Sequence, residues 1–236
     1  MRLTSRDRSL LEDIALHHVM SRDQVVRLGY FGSVQRANAR LLALRRAKLL
    51  ALIAPELGLE LRQHLYHVTR KAAPWLQPRI ASLVTARRET PQFIEHALGI
   101  VHVRIELQRL GLLRWLAEPQ IRHRYETSSS GVRRLEDFRP DGLAVLPSGH
   151  WFIELDRGHV SLTRMRERLN AYERYVRSGL FGTVYSSESA NLLIVTTGRL
   201  RSSHLQRLVP CAPGLTVRIM GMEELRRLTT LGAAPL

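Results

Sequence analysis

Three apolar segments in the second half of the chain constrain its fold more than any other feature. Residues 143–146, 151–155 and 192–196 are almost wholly apolar, and each has the length of a strand. A strand without a polar face has to be covered on both sides, so these segments predict a sheet between layers of helices. Residues 162–176 and 201–208 have the spacing of such helices. We therefore predict an α+β or α/β domain, with a mixed sheet flanked by helices, over residues 90–236.

Residues 91–131 lead into this sheet. Pro91 begins a long helical pattern that continues to about Leu112, and residues 112–118 then have the pattern of a strand. Residues 127–131 are rich in serine and predict a loop.

The first 78 residues have a different pattern, in which three short helices precede two strands. Thr4, Ser21 and Ser33 each stand where the N-cap of a helix is expected. Two strands follow, at residues 49–54 and 64–69, joined by a polar loop that contains glycine. This order predicts a winged helix-turn-helix domain over residues 1–78, with the domain boundary between that point and residue 90.

The charge of the chain indicates the kind of partner. Lys and Arg total 36 against 21 Asp and Glu, which gives a formal net charge of +15. A GC-rich genome would explain why Lys48 and Lys71 are the only lysines, but not why basic residues outnumber acidic ones. Such a field concentrates polyanions, so we predict that double-stranded DNA is the partner.

Composition and motifs exclude several other classes. Cys211 is the only cysteine, so an intrachain disulfide or a cysteine-rich zinc site is ruled out. No apolar run reaches the roughly 20 residues of a membrane span, and the charged N-terminus does not resemble a signal peptide. We therefore expect a cytoplasmic protein without a membrane partner. The Gly-rich phosphate loops and the serine nucleophile elbow are also absent from the sequence.

The third predicted helix has the composition of a DNA reader. Between Ser33 and Lys48 the sequence holds five basic residues and no acidic one. A major groove accepts small side chains for close approach, Gln and Arg for base edges, and basic residues for phosphates. The predicted DNA contacts are Gln35, Arg36, Arg40, Arg46 and Lys48, with Arg62 in the wing loop. Two alternatives stay open, a solvated basic face and a winged helix that binds protein.

Three carboxylates in the second domain form a candidate metal site. Glu154 and Asp156 are two residues apart on a predicted strand and therefore share a face. A two-residue turn at Ser148-Gly149 would set Asp141 opposite Asp156 and gather all three, whereas a three-residue turn would set it opposite Leu155. Such oxygen ligands suit Mg²⁺ or Mn²⁺, which would activate water against a phosphodiester.

The alternative for this cluster is structural. Asp141 would cap a turn, and the other two carboxylates would pair with nearby arginines. The arginines considered are Arg157, Arg164 and Arg168.

Several short motifs follow one another along the chain. They are Leu3-Thr4-x-Arg6-Asp7, Gln24-x-x-Arg27-Leu28, His96, Arg139-Pro140-Asp141-Gly142, Glu154-Leu155-Asp156-Arg157-Gly158 and Arg168-x-x-x-Tyr172. The strand with Pro-Asp and the strand with Glu-x-acid resemble the PD-(D/E)XK restriction-endonuclease-like fold. With the N-terminal winged helix, the chain resembles the replication-relaxation family over about residues 3 to 200. That family is linked to plasmid replication and to relaxation of plasmid DNA during mobilisation.

The resemblance implies that Asp141 and Glu154 are metal ligands if the site is active. Asp156, which shares their predicted site, and Arg168, on the following helix, complete the predicted catalytic set. The nuclease motif has a lysine two residues after the glutamate, and this chain has Asp156 there. Arg168 can stabilise charge on a phosphate, but arginine is too basic to act as a general base. The residues therefore leave two possibilities, an altered metal nuclease or a degenerate nuclease-like domain that binds DNA.

The preferred hypothesis is a DNA-binding accessory protein of plasmid or mobile-element replication and relaxation. Relaxase or replication proteins are expected partners, and a homodimer is compatible with a winged helix. One alternative is a Mg²⁺- or Mn²⁺-dependent DNA endonuclease that nicks DNA, and the other is a winged-helix transcriptional repressor.

Overall fold

The computed structural model describes residues 2–53, 64–85, 90–129, 132–187, 189–210, 212–229 and 231. It divides into two compact units, Met1–Ile105 and Glu106–Leu236. Helices accompany a mixed central sheet, which confirms the predicted α+β class.

The first unit contains short helices and a small sheet. Up to the division the elements are α1 (Ser5–His17), β1 (Met20–Ser21), α2 (Arg22–Arg27), α3 (Val34–Arg46), β2 (Leu50–Leu52), β3 (Leu65–Val68), a 3₁₀ helix (Arg70–Trp75), α4 (Pro78–Ala81), a second 3₁₀ helix (Ser82–Thr85) and α5 (Pro91–Arg109). The strands form an antiparallel sheet in the order β1-β3-β2. The predicted loop near Gly58 and the contact residue Arg62 lie outside the described residues.

Reciprocal capping determines where the first two helices begin. The Thr4 hydroxyl accepts a hydrogen bond from the Asp7 backbone N–H at 3.2 Å, and the Asp7 carboxylate accepts from the Thr4 N–H at 2.7 Å. Ser21 and Gln24 repeat this arrangement at the start of α2. Each capping box satisfies donors that a helix leaves unpaired at its N-terminus, so these helix starts could be read from local sequence.

The division between the units falls inside α5, beyond the range of 78–90 that the sequence predicted. Val101 and Ile105 belong to the main core of the first unit, and Ile94 packs in a smaller cluster with Val19 and Leu65. The first part of α5 is therefore part of this unit.

The second unit is built on a five-stranded sheet. Its elements are β4 (Arg114–Ala117), α6 (Glu118–Ile121), β5 (His123–Ser129), β6 (Val132–Phe138), β7 (Gly142–Leu146), β8 (Gly149–Asp156), α7 (Leu162–Arg177), α8 (Leu180–Tyr185), β9 (Ala190–Thr196), α9 (Arg199–Gln206), β10 (Leu215–Gly221) and α10 (Met222–Arg227). The strand order is β10-β9-β8-β7-β4. Strands β8, β9 and β10 are parallel, and β7 and β4 are antiparallel to their neighbours.

A hairpin that the sequence did not predict lies between β4 and β7 in the chain. Strands β5 and β6 pair with each other and form a separate two-stranded sheet, so Thr127 to Ser129 belong to a strand and not to a loop. Tyr125 and Phe138 are buried, whereas Leu135 is 70% exposed. The apolar alternation that would signal a strand is therefore weak in this segment.

Aromatic side chains fill the core of the second unit. Phe138 stacks on Tyr175 of α7 with ring centroids 4.0 Å apart, and Phe152 of β8 packs against Phe181 of α8. The first contact holds the hairpin against α7, and the second holds α8 against the sheet. None of the helices within the described ranges is both long and apolar enough to span a bilayer.

Candidate functional site

Helix α3 has a buried side and an exposed polar side. The Ser33 hydroxyl caps its N-terminus by accepting a hydrogen bond from the Arg36 N–H at 3.3 Å. Ala37, Leu41 and Leu44 are buried. The exposed residues are Val34, Gln35, Arg36, Asn38, Ala39, Leu42 and Arg46.

Several of the exposed side chains share one stripe of α3. Gln35, Ala39 and Arg46 are separated by four and seven residues and so lie on one side of the helix. Asn38 lies three residues after Gln35 and was not among the predicted contacts. Residues three apart are neighbours on a helix surface, so this spacing predicts that Asn38 shares the exposed surface of Gln35.

Arg40 stands apart from the other predicted DNA contacts. Its Nε donates to Oδ1 of Asp7 at 2.7 Å, and its second terminal nitrogen donates to the Asp7 carboxylate and to the Arg2 carbonyl oxygen. Burial opposes ionisation of Asp7, but the hydrogen bonds from Arg40 and Thr4 and the charge of Arg40 together outweigh it and lower the carboxyl pKa. The guanidinium of Arg40 therefore joins α3 to the capping box of α1.

Lys48 follows the end of α3 and is exposed. Its backbone has φ of +59°, in the left-handed region that favours glycine. The Lys48 carbonyl accepts a hydrogen bond from the Thr69 hydroxyl at 2.5 Å, which helps to hold this conformation. Arg36 in the first turn, and Arg46 and Lys48 at the other end, form no ion pair with another described residue, so α3 presents exposed positive charge at both ends.

The register of β7 and β8 differs from the predicted one. Leu146 pairs with Gly149 and Gly142 with Ile153, so the turn residues are Pro147 and Ser148 and not Ser148 and Gly149. Asp141 immediately precedes Gly142, the first paired residue of β7. Continuing the register therefore sets Asp141 opposite Glu154 and not opposite Asp156. Its N–H donates to the Ile153 carbonyl at 3.1 Å, and its carboxylate accepts from the Leu155 N–H at 2.8 Å.

Glu154 is buried and held by two side chains of α7. Arg168 donates to Oε2 at 2.5 Å, and the Tyr172 hydroxyl donates to Oε1 at 2.6 Å. Burial, together with the charge of Glu154, raises the pKa of Tyr172, which therefore stays a hydrogen-bond donor. Each oxygen of Glu154 thus has a donor from within the protein.

Asp156 is also buried and has its own basic partner. The guanidinium of Arg201, on α9, donates to both carboxylate oxygens at 2.7 and 3.0 Å, and the Thr196 hydroxyl donates at 2.8 Å. Burial opposes ionisation of Asp156, but the hydrogen bonds from Arg201, Thr196 and the Gly158 N–H, together with the charge of Arg201, outweigh it and lower the carboxyl pKa. The sequence pointed neither to Arg201 nor to Thr196, because each lies 40 or more residues from Asp156 in the chain.

The arrangement of these carboxylates does not fit a divalent cation. Glu154 and Asp156 have arginine partners, and one oxygen of Asp141 is bound to a backbone N–H. A metal ion bound to Glu154 would have to displace Arg168 or Tyr172. Within the described ranges no group of three or more His, Cys, Asp or Glu side chains is arranged to hold a metal ion.

Comparison with known proteins identifies the family. The model of the replication-relaxation family matches residues 11–186, which include α3 as well as Glu154 and Arg168. No curated protein and no solved structure matches the chain. Because the family match covers well over half of the sequence, the chain belongs to the replication-relaxation family.

Proposed function

We propose that this protein binds double-stranded DNA as an accessory factor in the replication or relaxation of a plasmid or mobile element. Family membership supports the biological context. The net charge of +15 supports a polyanionic partner. Relaxase or replication proteins are the protein partners that this role implies.

The observation that carries the proposal is the exposed side of α3. Gln35 and Arg36 stand in its first turn, and Arg46 and Lys48 at its other end. In our proposal Gln35, Arg36 and Asn38 contact base edges, for which Gln, Asn and Arg have suitable donors and acceptors. Arg46 and Lys48 contact phosphates and position the helix.

The order of elements around α3 supports this assignment. Helix α2 packs against α3, and the strands β2 and β3 follow in one antiparallel sheet with β1. We interpret this unit as a winged helix-turn-helix whose second helix enters the major groove. Arg62 remains a proposed contact from the loop between β2 and β3.

For the second unit we propose a binding role without DNA cleavage. The nuclease-like motif residues Glu154 and Asp156 have arginine partners, and the position of the motif lysine is Asp156 itself. The alternative is that the second unit is a metal-dependent endonuclease, and a DNA cleavage assay distinguishes the two. Nicking of supercoiled plasmid in Mg²⁺ or Mn²⁺ that is lost in Asp141→Asn would replace the binding role with a catalytic one.

Selection from a random-sequence duplex library tests the main proposal. The full-length protein is expected to enrich a defined motif, and Gln35→Ala with Arg36→Ala is expected to lose that preference while it stays folded. Arg8→Ala is the matched control, because Arg8 is exposed on α1 and the substitution also removes one positive charge. An unchanged motif in the α3 double variant would overturn the proposal, as would failure of the wild type to bind any duplex.

A further inference from the structure

Arg168 lies beside the carboxylates of the second unit, and its side chain is 43% exposed. Arg168 and Tyr172 lie one turn apart on α7, and they bind the two different oxygens of Glu154. The charges of Glu154, Asp141 and Asp156 all act on Arg168, with Glu154 first, and they raise the pKa of its guanidinium. Asp141 follows in register opposite Glu154, and Glu154 and Asp156 are two residues apart on β8, so the three predicted carboxylates lie on one face of the sheet.

Three carboxylates in one place require compensating positive charge. Glu154 and Asp156 are both buried, and ionised carboxylates in that setting are strongly unfavourable unless they are paired. Arg201 compensates Asp156 from α9, which leaves Arg168 as the cation bound to Glu154. A divalent cation would supply the same charge to the same oxygens, but it would also activate water, which a guanidinium cannot do.

We infer that the guanidinium of Arg168 is the resident cation of the cluster of Asp141, Glu154 and Asp156, and that it excludes Mg²⁺ and Mn²⁺ from carboxylates that would otherwise bind one of them. The native protein is thus independent of metal at this position, and removal of Arg168 uncovers a latent divalent-cation site. This inference concerns only the second unit and holds whether or not α3 binds DNA.

Calorimetric titration with Mn²⁺ alone tests the inference. Arg168→Met replaces the guanidinium with an uncharged chain of similar reach, and it is expected to bind Mn²⁺ at least tenfold more tightly than the wild type. Arg164→Met is the matched control, because Arg164 is exposed on the same helix and forms no ion pair with a described residue. It should behave as the wild type does. Adding Glu154→Gln to Arg168→Met should abolish the new binding.

Two further variants keep the test decisive. Arg168→Lys retains a cation and should leave Mn²⁺ binding as weak as in the wild type. Arg168→Gln removes the charge but keeps a donor for Glu154, and it serves if Arg168→Met does not fold. If neither neutral variant folds in metal-free buffer, refolding in Mn²⁺ should recover folded protein, because the ion would replace the missing cation.

The inference fails if the wild type binds Mn²⁺ as tightly as Arg168→Met does. It fails equally if the neutral variants fold and bind no Mn²⁺, or if Mn²⁺ does not recover them when they are unfolded. Electron paramagnetic resonance of the bound Mn²⁺ gives a readout that does not depend on any enzymatic activity.

Discussion

The guanidinium of Arg40 is bound to the carboxylate of Asp7, with Nε 2.7 Å from Oδ1. Asp7 is itself the third residue of α1 and completes the capping box with Thr4. One carboxylate therefore holds the start of α1 and the middle of α3 at the same time. Arg40, which the sequence placed among the DNA contacts, has a structural role in this arrangement.

Replacing Arg40 should reduce stability. Arg40→Met leaves the buried Asp7 carboxylate without its charged partner, and we expect the free energy of unfolding to fall by about 2–3 kcal/mol. Arg36→Met, in the exposed first turn of the same helix, should change stability by less than about 0.5 kcal/mol. Urea denaturation of the two variants measures the difference. Equal stability of the two would show that the ion pair contributes nothing.

The ion pair of Asp7 and Arg40 also predicts how the stability of the protein depends on pH. The pKa of Asp7 is lowered in the folded protein, so its contribution to stability is complete above the ordinary carboxyl pKa of about 3.9 and disappears as the pH falls through the folded value. The stability difference between wild type and Asp7→Asn should therefore be largest near neutral pH and narrow in acid. Denaturation curves from pH 7 to pH 3 test this. A constant difference would contradict it, and Asp23→Asn at an exposed site serves as the control.

Local sequence was sufficient for the features that depend on neighbours in the chain. The caps at Thr4, Ser21 and Ser33 and the burial of Leu41 and Leu44 follow from spacings of three and four residues. Pairings across the fold were not accessible in this way. Asp7 meets Arg40 across 33 residues and Asp156 meets Arg201 across 45, and many other arginines of the chain would have satisfied the same charges.

The turn between β7 and β8 shows a second limit of sequence reasoning. Pro147-Ser148 and Ser148-Gly149 are both acceptable two-residue turns, and they differ by two positions in the partner of Asp141. A shift of two positions keeps each side chain on the same face of the sheet, so the apolar alternation of the strands does not distinguish the two turns. The β5/β6 hairpin was missed for a related reason, because few of its side chains are buried.

Removing Arg201 should be more damaging than removing a neighbouring arginine. The Asp156 side chain is completely buried, and Arg201→Met would leave its charge unpaired. We expect a loss of about 3–5 kcal/mol in the free energy of unfolding. Arg199→Met is the matched control, because Arg199 begins the same helix, is exposed and forms no ion pair with a described residue. Adding Asp156→Asn to Arg201→Met should recover part of the loss.

Gly142 leaves room for Trp115 of the neighbouring strand. A Cβ at this position would lie 2.6 Å from two atoms of the indole ring. We expect Gly142→Ala to lower the free energy of unfolding by about 1–3 kcal/mol, because the ring has to shift. Gly32→Ala, where a Cβ would meet nothing within 4 Å, is the control. Shortening the ring with Trp115→Phe should restore part of the stability, and thermal denaturation would reveal it.

Replacing Lys48 with glycine should have opposite effects on the stability of the fold and on its affinity for DNA. Lys48→Gly relieves the left-handed conformation and should raise the free energy of unfolding by about 0.5–1 kcal/mol. The same change removes a proposed phosphate contact, so duplex affinity should fall and its logarithmic salt dependence should decrease by about 1. Lys48→Ala loses the same charge but keeps the strain, and should weaken binding without stabilising the fold. Unaltered binding by both variants would remove Lys48 from the DNA interface.

The division of the chain within α5 determines where an N-terminal fragment has to end if it is to fold by itself. An N-terminal fragment that ends at residue 78, where the sequence placed the end of the first domain, would lack Ile94, Val101 and Ile105. It would also lose Arg104, which donates to the buried Asp13 carboxylate at 2.6 Å. Such a fragment would expose apolar surface and leave Asp13 with one fewer partner. Expression of the first unit by itself should therefore succeed only when the stop codon is placed after most of α5 has been included.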